Sequence, residues 1–311
     1  MTRRPALLLL TATLSLGCLA RHYRSTPRVA TVGGDPVVQF MRRGRFPSAT
    51  RPPMVALSRH SDPPRGRERL IALTAPAPRA YAIGLLDRFE IVNDDAGGVS
   101  FVVTRCALTQ VAAVYRRSVE GRDLTFENSG ALWRDTLVLR DVQTGSLWSA
   151  ATGAALVGPL AGRRLTPIPA VYTTARAWSR AFPTSTYMDL GKSTSIPFLM
   201  RLYGASPWQG MSGVRTSDRR HDPKDEFLSV AVGDEAFAFT EERIRGQRRL
   251  REVIAGRTIE VEWDDRLEAP RARLAAEERP VVPMYWFALD RHFETVRIAG
   301  PPALSPGVSA P

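Results

Sequence analysis

Cys106 is followed three residues later by Thr109. A Cys-x-x-Cys pair can cycle between dithiol and disulfide, or supply half of a metal site. Cys-x-x-Thr can do neither alone. A single thiolate can still attack a peroxide or a mixed disulfide, with an external thiol resolving the product. Positive charge nearby lowers a thiol pKa, and Arg105 is adjacent in sequence. On a strand, however, consecutive side chains face opposite ways, so Thr104 shares the face of Cys106. Thr109 can donate to the sulfur if the strand ends in a turn. Cys106 and Thr109 are therefore the candidate catalytic residues. The competing reading is a buried cysteine that acts as a small hydrophobe.

Four residues are candidate ligand contacts: Asn93, Asp94, Thr104 and Trp148. Asn93 and Asp94 precede Gly97-Gly98 and either aim at Cys106 or a ligand, or bond their own backbone in a turn. Trp148 either walls a pocket or packs in the core. Other chemistries lack a pattern. The four histidines, His22, His60, His221 and His292, are far apart and lack metal-ligand spacing, so no metal site and no cofactor are expected. The sequence contains no Gly-x-Ser-x-Gly elbow, no Walker loop and no Gly-x-Gly-x-x-Gly after a strand.

The elements that must hold these residues read mostly as β. Leu70–Leu73, Val99–Thr104, Val111–Tyr115, Leu124–Phe126, Leu137–Leu139 and Ser146–Trp148 are short apolar runs bounded by turn residues. Ala175–Phe182 reads as a short helix stopped by Pro183, and Glu241–Ile254 as a charged helix. An internal repeat is visible. Leu228–Val232 with Ala236–Phe239 echoes Leu70–Leu73 with Ala80–Ile83, and Ala288–Phe293 echoes Ala177–Phe182. The expected fold is mainly β, or α+β. It is a compact body of two unequal β-rich repeats, about 69–185 and 226–295, with short helices.

The flanks read as an address and a tether. Arg3 and Arg4 precede an eleven-residue apolar run, Ala6–Leu16, and then Gly17-Cys18. The run is too short to span a bilayer, which takes about 20 helical residues. It suits a secretory signal peptide, and a small residue before a cysteine suits a lipoprotein signal. Residues 1–18 would then be the signal with Cys18 lipidated, and the alternative is a plain signal peptide with a chance cysteine. A diacylated Cys18 anchors a chain without making it span. Residues 19–68 look like an Arg/Pro-rich tether, 69–298 like the body, and 299–311 like a flexible tail. With Cys18 used for lipid, Cys106 has no disulfide partner. The net charge of +12 is concentrated in residues 1–68, whose twelve arginines face only three acids. The remaining chain is nearly neutral, which disfavours nucleic-acid binding. The expected partner is the membrane, through the anchor, and a small molecule or protein besides. The expected location is the bacterial envelope, facing the periplasm.

Several motifs in order carry a family resemblance. They are Ile91-Val92-Asn93-Asp94 with Gly97-Gly98, Val103-Thr104-Arg105-Cys106 with Leu108, Leu124-Thr125-Phe126 with Ser129-Gly130, and Thr144–Ser149 with Thr152-Gly153. Gly158–Gly162, Leu202-Tyr203-Gly204 and Pro223-Lys224 continue the series. Over roughly residues 69–295 the chain resembles the bacterial family catalogued as domain of unknown function 3179. The resemblance implies a fold neighbourhood and no established activity. It also implies two departures. Many relatives carry Cys-x-x-Cys where this chain has Cys106 and Thr109, and a tyrosine where it has Arg105. The function expected is that of an envelope lipoprotein with thiol-redox character at Cys106. The alternative is a non-catalytic ligand- or protein-binding lipoprotein with a structural cysteine.

Overall fold

The computed structural model describes residues 26–75 and 77–300. Cys18, the apolar leader and nearly all of the expected tail lie outside them. The architecture is mainly β: small sheets in a propeller-like ring, with five short helices among the described residues. The helices are α1 (Ile83–Phe89), α2 (Ala175–Ala181), α3 (Phe198–Gly204), α4 (Glu241–Gln247) and α5 (Trp286–His292). None is long and apolar enough to cross a membrane.

The two repeats share one topology. In the first, strands run in the order Val171–Thr174, Arg69–Leu73, Arg79–Ala82, Thr186–Met188. The first two pairings are antiparallel and the third is parallel. In the second, Val282–Tyr285, Glu226–Val232, Glu235–Phe239 and Thr295–Ile298 repeat that order and those senses. Each repeat continues through a seven-residue helix, α1 or α4, into an antiparallel meander. The meanders are Ile91–Ala96, Val99–Arg105, Ala112–Arg116 and Arg249–Ile254, Arg257–Asp264, Ala269–Leu274. Helices α2 and α5 then occupy matching places before the last strand. The inequality is an insert. Between Arg116 and Val171 the first repeat carries Phe126–Trp133, Thr136–Asp141, Leu147–Ser149 and Ala155–Val157, which form four strands of a six-stranded sheet.

Two expectations are corrected. Residues 26–68 are not a tether. Arg28–Val32 and Asp35–Val38 complete the six-stranded sheet, Ala49-Thr50 pairs with Val92-Asn93, and Met54–Ala56 pairs with Thr186–Met188. The arginines mask apolar anchors, since Val37, Val38, Phe40 and Ala49 are buried. Arg-rich composition does not preclude edge strands when alternate residues find a core. The second correction is at Glu241–Ile254. The helix ends at Gln247, Arg248 turns left-handed at φ +67°, and Arg249–Ile254 is a strand. Its β-branched end pairs with Arg257–Glu262, a tertiary gain that overrides local helix propensity.

Tight two-residue turns set the registers. Gly97 and Gly98 both have positive φ between paired Ala96 and Val99, the geometry that matches strand twist. The turn between Trp133 and Thr136 is different. Arg134 and Asp135 hold φ of +52° and +61° without being glycine, a conformation that side chains disfavour.

Candidate functional site

Strand Val99–Arg105 ends at Cys106, and residues 107–109 turn the chain back. Cys106 donates its amide to the Val111 carbonyl at 2.8 Å. Its sulfur accepts the Leu137 amide at 3.4 Å and is 2% exposed. Burial, and after it the neighbouring Glu90 carboxyl, push the thiol pKa up. Hydrogen bonds from the Thr109 hydroxyl, and from the Leu137 and Thr109 amides, pull against this without cancelling it.

The turn is a junction of every part of the molecule. Tyr285 of the second repeat donates its amide to the Thr109 carbonyl at 2.9 Å. Tyr203 of α3 donates its hydroxyl to the Leu108 carbonyl at 2.8 Å. Thr136 of the insert donates to the Thr109 hydroxyl at 3.3 Å. His292 of α5 meets Thr136 at 2.7 Å through Nε2. With Thr136 donating to Thr109, His292 must donate from Nε2, so its Nδ1 is an unprotonated, unpartnered acceptor. Burial, then Arg134 and Arg291, depress His292 to about 3, which keeps it neutral. The donors thus run in one direction, from His292 through two hydroxyls to the sulfur.

Arg105 points away from Cys106 and braces the same turn. It is fully buried, pairs with Asp87 at 2.8 Å, and donates to both the carbonyl and the side-chain oxygen of Gln110. Glu90, which caps α1 in a left-handed conformation, sits between this pair and Asn128. Burial, then the Asp87 charge, raise Glu90 to about 8.

The candidate ligand contacts do not assemble into one pocket. Asn93 lies within a strand, where it makes a two-point clasp on Phe126: Nδ2 donates to the carbonyl and Oδ1 accepts the amide, each at 2.8 Å. Asp94 faces the other way and accepts from Arg79 at 2.6 Å and Tyr81 at 2.7 Å. Both readings of this pair, ligand contact and turn chemistry, give way to inter-sheet bonding. Strand alternation sends the two side chains to opposite layers. Thr104 is fully buried, and its hydroxyl has no partner among the described residues. Trp148 is fully buried too. It donates to Asp141 at 2.9 Å and meets Phe126 edge-on, packed in the core. Among the described residues no cluster of His, Cys, Asp or Glu could hold a metal ion.

A cleft of about 460 Å³ lies elsewhere, lined in part by Arg28, Asp35, Arg134, Asp135, Val214 and Arg291. Arg134 pairs with Asp35 at 2.7 Å and stacks on Trp133. Asp135 takes the amides of Met211 and Ser212, at 2.6 and 2.7 Å, and also binds Arg291. Those bonds hold the left-handed Arg134-Asp135 turn in place. Backbone strain held by surrounding bonds is characteristic of ligand sites. This cleft has no signature in the sequence, because its residues are spread from 26 to 291 and share no motif. Pro223-Lys224 and Leu202-Tyr203-Gly204 are separate landmarks in the sequence, and neither alone points to Lys224. The structure joins these two landmarks. The Lys224 ammonium lies 3.4 Å from the centre of the Tyr203 ring and bonds the Tyr203 carbonyl. Burial lowers Lys224 to about 8.

Fold and site together define a two-repeat, mainly β protein whose first repeat carries an inserted sheet and a buried thiol turn. The chain belongs to the family described as "Protein of unknown function (DUF3179)", whose model matches residues 43–302. The match starts inside the segment expected to be a tether, in keeping with the strands found there. No curated protein and no solved structure is similar enough to the chain to extend that statement.

Proposed function

We propose that this chain is a lipid-anchored envelope protein whose body binds a ligand without transforming it, Cys106 being a structural residue. The observation that carries the reading is the state of Cys106. A nucleophilic thiol needs access and a depressed pKa, whereas this sulfur is closed off and its pKa is raised. The cleft beside Arg134 and Asp135 is the ligand site. Its acids are engaged by Arg134 and Arg291, which leaves Arg28 without an ion pair among the described residues and favours a small anionic ligand. The anchor is Cys18, after a signal peptide. The thiol-redox reading keeps one supporting observation, the donor chain that ends on the sulfur. Burial outweighs it.

The test treats the folded full chain with hydrogen peroxide and then glutathione, and maps each cysteine by peptide mass spectrometry. The proposal expects Cys106 unmodified. It also expects citrate, as an anionic probe, to raise the melting temperature, and Arg28→Ser to remove that rise. A glutathione adduct on Cys106 formed without denaturant restores the redox reading. A citrate response identical in Arg28→Ser removes the cleft assignment.

A further inference from the structure

The segment between the repeats exposes apolar side chains that the two-repeat fold does not need. Phe198 is 72% exposed, Leu199 70%, Leu202 52% and Ile196 46%. Phe198 and Leu202 are four apart on α3, and Leu199 and Leu202 three apart, so they share one face. The helix is fixed to the body through Tyr203, which is buried and bonded to Leu108 and to the Gly210 amide. The apolar face is thus held outward by a rigid attachment.

Charge within the segment's own sequence is mostly positive, and acids from elsewhere meet it at three places: Glu68 at Thr194 and Ser195, Asp135 at Met211 and Ser212, and Asp290 at Thr216. Between Gly191 and Arg220 the sequence has five basic residues and a single acid, Asp218. Asp218 is occupied by Arg220. Lys192, Arg201, Arg215 and Arg219 are exposed and make no ion pair among the described residues. Exposed Phe and Leu in a segment that also carries exposed Lys and Arg is the composition of a helix that lies in the interface of an anionic bilayer. The segment is also placed for it. Val214 lines the same cleft as Thr26, and Thr26 is eight positions from Cys18. An extended chain covers about 28 Å over that length. A lipid on Cys18 would hold the Val214 end of this segment within reach of the membrane.

We propose that the exposed face of α3, with its flanking cations, docks on an anionic lipid bilayer and orients the body against the membrane. The proposal rests on the lipid-anchor reading for proximity, and its test separates the two. Hydrogen exchange at residues 196–204 is followed in the full chain, alone, on phosphatidylglycerol vesicles and on phosphatidylcholine vesicles. Lipid on Cys18 is scored independently by intact mass. Exchange in this segment should slow at least fivefold on phosphatidylglycerol, less on phosphatidylcholine. Phe198→Ser with Leu199→Ser should abolish the slowing at an unchanged melting temperature. Slowing without lipid on Cys18 keeps the docking face and removes the anchor. Unchanged exchange on a lipidated chain overturns the docking face. Protection that rises with protein concentration in the absence of vesicles overturns it too, in favour of a protein partner.

Discussion

At the residue scale, the buried polar groups decide what each motif does. Thr104 places a hydroxyl in the core with no partner among the described residues. Leaving such a group unsatisfied costs about 1–3 kcal/mol, so Thr104→Val, which keeps the shape, should be neutral or should stabilise by up to about 1 kcal/mol. Urea unfolding measures this, and a loss would show that the hydroxyl has an unseen role. Glu90 gives a pH signature. Its folded pKa of about 8 lies above its ordinary value, so between about 4.5 and 8 the native state holds the proton more tightly. Its contribution is therefore fully present below about pH 4.5 and is lost as pH rises through 8. Glu90→Gln should flatten that alkaline decline in a melting-temperature profile. His292 acts at the other end, its depressed pKa costing stability as pH falls from about 6.5 to 3. The identity of Cys106, Thr104 and Thr109 as one cluster was legible, because strand alternation and a following turn are local. The roles of Glu90 and His292 were not, because their neighbours come from distant segments.

At the element scale, short strands are locked by side chains rather than by length. Gly130 sits at a bulge in Phe126–Trp133, with φ +74°, and a β-carbon there would lie 2.2 Å from the Met41 carbonyl oxygen. Met41 donates its amide to the Gly130 carbonyl at 2.8 Å. Gly130→Ala should therefore undock residues 39–46. The left-handed backbone alone costs roughly 1–2 kcal/mol, and trypsin cleavage after Arg42, Arg43 or Arg45 should accelerate. Cleavage at the unaltered rate would mean that this contact is dispensable. Asp87 and Arg105 are a fully buried pair. Removing one partner of such a pair costs about 3–5 kcal/mol, so Asp87→Ala should lower the urea midpoint sharply. The hairpins of the first repeat could be read from their apolar runs and glycine turns. Strands before residue 69 could not, because Pro and Arg dominate the local pattern while the partners that bury Val37 and Val38 lie in the insert. The strand after α4 was hidden in the same way, by charged residues on its exposed face.

At the scale of the whole molecule, the repeats are interlocked rather than strung together. Thr173 of the first bonds the Leu267 carbonyl of the second, and Arg69 pairs with Glu241 at 2.6 Å. Leu267 and Ala269 are part of the first repeat's core. The molecule should unfold in one transition, with calorimetric and van't Hoff enthalpies equal. Two separated transitions would show that the repeats are independent domains. The repeat itself was legible from paired apolar strings. The insert's edge strands and the arginine-lined cleft were not, since both depend on which distant segments meet. What unites the molecule is the Cys106–Thr109 turn, bonded to the insert, to α3 and to the second repeat. The account therefore depends on that thiol being closed. The direct measurement is the rate at which iodoacetamide alkylates Cys106 in the folded chain from pH 6 to pH 9, with and without urea. The account predicts negligible labelling at every pH until urea unfolds the chain. Rapid native labelling with an apparent pKa well below about 8.5 would contradict it.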